Sequence, residues 1–315
     1  MRLSRSRSVL SARLGALLLA LLALGVAGPS ADAAKSKDVG GKREVTVMTQ
    51  NLYFGASLDP ILEADSPLAL LFAVEEVWQA AQDTDFPERA EALADEIAAA
   101  KPSLIGLQEA ALWRIQSPGD ILVGGSTPAE TVVYDFVEIL LDELAERGAS
   151  YKVIVSQDNL DAELPSITGN DIRLTDRDVI LARTDLPYGY LQILSTDSDH
   201  FDTLASETVG GSDIYILRGW VAADVKVRGK EFRFLNTHLE DVIAPPIQEA
   251  QARELLAGPA AVRWPLIAVG DFNSNASGPG TQSYQILLDA GFADAWTKSG
   301  NHKPGFTSVS YTHLR

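Results

Sequence analysis

Cysteine is absent from all 315 residues. That excludes disulfides, thiolate zinc sites and cysteine nucleophiles. Stability must come from a packed core, and 46% apolar content is enough to fill one. Histidine is scarce, with four in the chain; with no thiols beside them, a dedicated zinc site is disfavoured. Positive charge is also short: 26 Lys and Arg stand against 43 Asp and Glu, a net charge of −17. So acidic a chain repels itself and binds nucleic acid poorly in a non-specific way, because phosphates are neutralised by Lys and Arg. Nuclease activity assisted by a divalent cation is not excluded by this. Long apolar runs are missing except at the start. There Arg2, Arg5, Arg7 and Arg13 precede an apolar run from Leu14 to Ala27, followed by Ala31-Asp-Ala33. The run is too short to span a bilayer and ends in small residues, the pattern of a secretory signal peptide over residues 1–33. An uncleaved segment anchoring the protein to the membrane is the alternative. Cleavage would remove four Arg and one Asp and move the net charge from −17 to −20. Residues 34–43 read as a polar linker, and the mature protein is expected to be secreted.

Past the linker, strands and helices are mixed. The pattern predicts a strand over Val45–Leu52 and helical spacing from Ile61 to Ala81 broken by Pro67. A helix over 87–100 has Pro87 and Glu88 at its start. Ser103–Glu109 reads as a short buried strand, 118–129 as a Gly/Pro-rich loop and 129–147 as an amphipathic helix. Tyr151–Ser156 and Val179–Ala182 read as strands, with polar, irregular stretches over 157–176 and 193–211. Ile214–His238 resembles antiparallel strands turning near Arg228-Gly-Lys230. Further helices are expected over 246–256 and 281–290. Leu68-Ala-Leu-Leu-Phe72 reads as part of a core helix, with a membrane-facing element as the alternative. The absence of strict strand–helix alternation argues for α+β layers built on packed sheets, not a Rossmann sheet or a TIM barrel.

Four apolar strands end in chemistry. Gln50-Asn51 closes the first, Leu107-Gln-Glu109 the second and Asn236-Thr-His-Leu239 the hairpin. The fourth, Pro265-Leu-Ile-Ala-Val-Gly-Asp-Phe-Asn-Ser274, delivers Asp271 and Asn273 to one side of a strand tip. Polar groups gathered at strand ends suit a site at one edge of a layered sheet. Glu109 and Asn51 offer hard oxygen ligands with little charge, which magnesium prefers because it keeps several waters. Asp271 could align or deprotonate an attacking water. Asn273 and His238 could donate to a phosphoryl oxygen as charge builds there.

The order and spacing of Thr49-Gln-Asn-Leu52, Ile105-Gly-Leu-Gln-Glu109, Asn236-Thr-His-Leu239, Val269-Gly-Asp-Phe-Asn273 and Gly291-Phe-Ala-Asp-Ala-Trp296 resemble the endonuclease/exonuclease/phosphatase superfamily. That group includes deoxyribonuclease-I-like nucleases and neutral sphingomyelinases. The resemblance runs from about Val45 to Thr307. It implies a four-layer α/β/β/α sandwich of two packed mixed sheets and magnesium-dependent hydrolysis of a phosphodiester, with Mn2+ or Ca2+ as other candidate ions. By resemblance, Asn51 and Glu109 are the metal-side residues and Asp271 acts on the water. Asn273 and His238 are catalytic and hold the scissile phosphate, and Thr307 and Arg177 lie on the substrate side. Asp294 is expected to be structural. His200 and His302 are expected in exposed polar loops.

The resemblance also implies an Arg-Ile-Asp-Tyr-like strand and a terminal Ser-Asp-His beyond this point. The chain ends instead at Ser308-Val-Ser-Tyr-Thr-His-Leu-Arg315. The expectation is a domain over 44–307 lacking its last strands, a non-native tail over 308–315, and little activity in the chain as it stands. The expected substrate is a phospholipid or a nucleic acid, acted on by a monomer with no obligate protein partner. A secreted binding domain that kept the fold without the chemistry is the alternative.

Overall fold

The computed structural model describes residues 44–209, 212–241, 244–278 and 280–300. The expected signal peptide, linker, Thr307, His302, His313 and C-terminal tail all lie outside the described residues. In chain order the elements are β1 (Val47–Asn51), α1 (Asp59–Leu62), α2 (Pro67–Asp83), α3 (Phe86–Ala100), β2 (Leu104–Gln108), β3 (Leu112–Gln116), β4 (Thr131–Asp135), α4 (Phe136–Glu146), β5 (Tyr151–Pro165), β6 (Asp171–Arg183), β7 (Leu191–His200), β8 (Ala205–Val209), β9 (Ser212–Ile216), β10 (Gly219–Val227), β11 (Lys230–His238), α5 (Pro245–Ala257), β12 (Leu266–Asp271), α6 (Ser283–Asp289) and α7 (Ala295–Lys298).

They form two mixed sheets and a separate β8–β9 hairpin. In the first sheet β1 runs parallel to β2, and β2 lies antiparallel to β6. β6 is long enough to take β2 beside Val179–Ala182 and β3 beside Asp171–Thr175, while β5 follows its other edge throughout. β4 closes the β3 side. The second sheet has the order β12-β11-β10-β7, with β11 and β12 parallel and the other pairs antiparallel.

Alternation along the strands separates three apolar layers. Leu104, Ile180 and Ala182 of the first sheet meet Val221, Val225, Phe232 and Phe234 of the second. On the outer face of the first sheet, Ile105, Leu107, Leu181 and Trp113 receive Val77, Trp78, Phe86, Ile97, Phe136 and Leu140 from α2, α3 and α4. Phe86 and Phe136 stack with centroids 3.6 Å apart. On the outer face of the second sheet, Trp220, Ala222 and Leu235 receive Ala252, Leu255 and Leu287 from α5 and α6. Each large apolar side chain so buried contributes about 1.5–3 kcal/mol. The result is the expected α+β sandwich of helix, sheet, sheet and helix layers.

Several local expectations are corrected. Residues 129–147 are not one helix: Thr131-Val-Val-Tyr-Asp135 is an edge strand, and Asp135 caps α4 by accepting from the Val137 and Glu138 amides. The β-branched run favours strand. The supposed irregular stretch over 157–176 is mostly a long hairpin, stabilised by cross-strand pairs such as Asp161 with Arg173. Residues 193–211 likewise carry β7 and β8. His200 ends β7 half-buried, its ring against Gln157 and the Asp158 carbonyl, and is not in a loop. Leu68 and Phe72 lie on the exposed face of α2, while Ala73, Val74, Val77, Trp78 and Ala81 form its buried stripe. Among the described residues, no helix is long and apolar enough to cross a membrane.

Candidate active site

The two parallel strand pairs set the geometry. Asn51 ends β1 in register with Gln108, and Asp271 ends β12 in register with His238. Parallel neighbours finish at the same level, so both sheets deliver their polar tips to one end of the sandwich. Gly270 adopts φ +144°, and an added Cβ would run into the Thr237 backbone, so only glycine lets β12 turn Asp271 inward here. Glu109 (φ 52°) and Asn273 (φ 46°) are both left-handed, a conformation that L side chains rarely adopt and that the surroundings must hold in place.

Asn51 joins the two halves. Its Nδ2 donates to Glu109 Oε1 at 2.8 Å and to Asp271 Oδ2 at 3.0 Å, while its Oδ1 accepts from the Tyr53 amide at 2.8 Å. The second Glu109 oxygen accepts from the Phe54 amide at 3.1 Å. The loop after β1 is itself held: Arg89 donates to the Leu52 and Tyr53 carbonyls and Trp113 Nε1 to the Phe54 carbonyl. Burial pushes the Glu109 carboxyl up to about 7, with Asp176 adding to the rise and the hydrogen bonds from Asn51 and Phe54 opposing it.

On the other sheet, Asp271 Oδ1 accepts from the Asn273 amide at 3.0 Å, an Asx turn that fixes both side chains. His238 is buried. Its Nδ1 lies 3.2 Å from an Arg218 nitrogen and its Nε2 lies 3.2 Å from the Asn273 side-chain nitrogen. Burial, with the Arg218 charge adding to it, holds the imidazole well below its usual range, so it is neutral. Asn273 Nδ2 also donates to the Leu239 carbonyl at 3.0 Å, and Gln248 of α5 donates to the Asn273 and Glu240 carbonyls. Asn236 does not reach this cluster. It is fully buried between the sheets, donating to the Leu107 and Val179 carbonyls and accepting from Gln108.

Asn51, Glu109, Asp271, Asn273 and His238 are thus brought together. Arg177 is not: it donates to the Ala110 and Ala111 carbonyls and pairs with Asp135 at 2.6 Å, bracing α4 against the β2–β3 connection. Asp178, its neighbour, is fully buried and accepts from Asn159. Asp294 caps α7 and accepts from the Tyr284 hydroxyl. Behind the cluster lies a second group of residues that the linear pattern does not disclose. Arg218 lies 3.5 Å from Glu240 and 3.9 Å from Asp176. Burial raises Asp176 to about 6, with Arg218 opposing, and raises Asp178 well above the carboxylate range, with Asp176 adding to it. Burial alone would lower Arg218, but Glu240, Asp176, Glu109 and Asp178 together hold it higher than usual.

Among the described residues, no group of three or more His, Asp or Glu forms a ready-made metal cage. The Glu109 carboxylate is nevertheless the hard oxygen ligand that a hydrated magnesium ion accepts, with water for the rest; Asn51 turns its Nδ2 to Glu109 and its Oδ1 to the Tyr53 amide, so it adds an amide oxygen only when its side chain rotates. A carboxylate whose charged form is disfavoured by burial, beside a second carboxylate on the same amide, also gains from a cation.

Two carboxylates, the amides of Asn51 and Asn273 and a neutral imidazole are gathered at one end of the two-sheet sandwich. The model of the Endonuclease/Exonuclease/phosphatase family matches residues 48–313, and the chain belongs to that family, one of enzymes that hydrolyse phosphoester bonds. Similar solved structures include the mannosyl-6-phosphatase Bt3783 of Bacteroides thetaiotaomicron VPI-5482, with 19% identity and a TM-score of 0.47 over 81% of this chain and 74% of that one. An endonuclease/exonuclease/phosphatase from Beutenbergia cavernae DSM 12333 has 20% identity and a TM-score of 0.45 over 81% of this chain and 56% of that one. Humanized D. rerio TDP2 has 15% identity and a TM-score of 0.44 over 82% and 73%. No curated protein matches the sequence at a significant level.

Proposed function

We propose that the protein is a magnesium-dependent phosphodiesterase that hydrolyses its substrate by direct attack of water. The observation that carries this is the shared amide. Asn51 touches Glu109 and Asp271 at once, so carboxylates from opposite sheets border a single space. Glu109 would hold the ion, with Asn51 joining once its amide oxygen rotates toward Glu109, and the ion when bound supplies positive charge to a phosphoryl oxygen. Asp271, fixed by its Asx turn, orients the attacking water and accepts its proton as the new P–O bond forms and the bond to the leaving alcohol breaks, the departing oxygen taking its proton from solvent. His238 and Asn273 present donors to the phosphoryl oxygen on which charge accumulates.

A phospholipid ester fits better than a nucleic acid. Arg114, Arg147, Arg173, Arg177, Arg183, Arg218 and Arg233 all sit in ion pairs with carboxylates, and a net charge of −17 disfavours tracking a phosphate backbone. Leu68 and Phe72 on α2 and Ile167 at the β5–β6 turn are exposed apolar side chains of the kind a lipid surface accepts. The N-terminal Arg and Leu-rich segment is proposed to direct export, placing the activity outside the cell. The test is hydrolysis of sphingomyelin, plasmid DNA, RNA and a bis-aryl phosphate by chelator-treated protein, with and without magnesium. Magnesium-dependent cleavage of sphingomyelin ahead of the nucleic acids is expected; no magnesium-dependent cleavage of any of the four would sink the reading.

A further inference from the structure

Arg218 is an unusual neighbour for an imidazole. Its side chain is 13% exposed, and its backbone is fixed on both sides: its carbonyl accepts from the Phe201 amide, and the next carbonyl, Gly219, accepts from Thr237 Oγ1. The groups facing it are Asp176 and Asp178 from β6, Glu240 just after β11, Glu109 just after β2, and His238 at the end of β11. A guanidinium carries donors and no acceptor, whereas an imidazole or a carboxamide carries both. At the 3.2 Å contact with Arg218, His238 Nδ1 must therefore be the acceptor. A neutral ring with a bare Nδ1 keeps its proton on Nε2; the Asn273 nitrogen 3.2 Å away is itself a donor, bonded to the Leu239 carbonyl, and offers that proton no acceptor, which leaves it for a substrate oxygen.

We infer that Arg218 is a positioning residue for the reaction: its guanidinium fixes His238 as the neutral Nε2–H tautomer, so that His238 meets the substrate as a hydrogen-bond donor and not as a proton acceptor. The carboxylates set the guanidinium in place. The fork shape matters as well as the charge, since one terminal nitrogen lies toward Glu240 while the other reaches Nδ1. A lysine ends one atom short of that second nitrogen and cannot span both contacts.

The inference rests on the phosphoesterase reading for its consequence, but its first test needs no activity. With His200→Gln, His302→Gln and His313→Gln combined, His238 is the sole histidine, and 15N spectra of the full chain report its two ring nitrogens directly. A protonated Nε2 and a bare Nδ1 from about pH 6 to about pH 8 are expected; the reverse pattern, a tautomer mixture or an imidazolium overturns the inference. In Arg218→Lys, which keeps the charge, the single tautomer should be lost and kcat should fall on the order of a hundredfold with little change in KM. Wild-type spectra and kcat in that variant would show that Arg218 only balances the surrounding carboxylates. If the substrate panel fails while the spectra hold, the function is misread and the arginine–histidine assignment stands.

Discussion

Glu109 is held where its charge is disfavoured, and that makes it responsive. Raised to about 7, it must lose a proton to receive a cation, so magnesium affinity should climb as pH rises toward 7, by roughly tenfold per unit below that point. Calorimetric titration across this range checks it, and Glu109→Ala should remove both the affinity and its pH dependence. Asp271→Asn keeps the shape of the site but loses the proton acceptor. A fall in kcat of about 100- to 10,000-fold is expected, with secondary structure by circular dichroism unchanged; a variant retaining near-normal turnover would remove Asp271 from its role. At this scale the sequence is informative where a functional side chain closes an apolar run, as with Asn51, Glu109, His238 and Asp271. It is silent about Arg218, Asp176 and Glu240. Their meaning lies in contacts across strands distant in the chain, and each is locally an ordinary charged residue.

Among the elements, the junction between β2 and β11 is the critical one. An added Cβ on Gly106 would lie 2.7 Å from Asn236 Oδ1 and 2.7 Å from a Val269 methyl, so the two sheets approach closely there. Asn236→Ala would remove a donor from the Leu107 and Val179 carbonyls and an acceptor from the Gln108 amide, which keeps Thr49 Oγ1. Each buried hydrogen bond contributes about 0.5–1.5 kcal/mol, so urea denaturation should show a loss of a few kcal/mol although Asn236 touches no substrate. An unchanged midpoint would mean the sheets are not held by this residue. The same scale explains the misread segments. β5 and β6 also pair across charged residues, Asp158 opposite Arg177 and Glu163 opposite Arg173, so only a short alternation such as Ile172 and Leu174 with Arg173 and Thr175 marks this part as strand. No boundary between β4 and α4 shows in the sequence because Asp135 both ends the strand and caps the helix, leaving no turn residues between them.

For the whole molecule, the buried carboxylates set the direction of pH dependence. Glu109, Asp176 and Asp178 all titrate higher in the folded chain than in the unfolded one. Between the unfolded carboxylate range and about 7, the folded state therefore binds more protons, and stability falls as pH rises. His238, held well below its usual range, acts in the opposite sense as pH drops below about 6.5, one group against three. In chelator, the melting temperature should decline from about pH 5 to about pH 7, and magnesium should restore much of the loss at the upper end. A flat profile, or one indifferent to magnesium, would contradict the placement of these carboxylates.

The bridging amide of Asn51 has a last consequence. Its partners Glu109 and Asp271 come from different sheets and are brought side by side only by docking of the sandwich. Neither half of the polypeptide can inherit competence by itself, and no partly assembled form should turn over substrate. Residual turnover followed through a urea series should trace the same sigmoid as near-ultraviolet ellipticity, so that a simple rate assay doubles as a gauge of global folding.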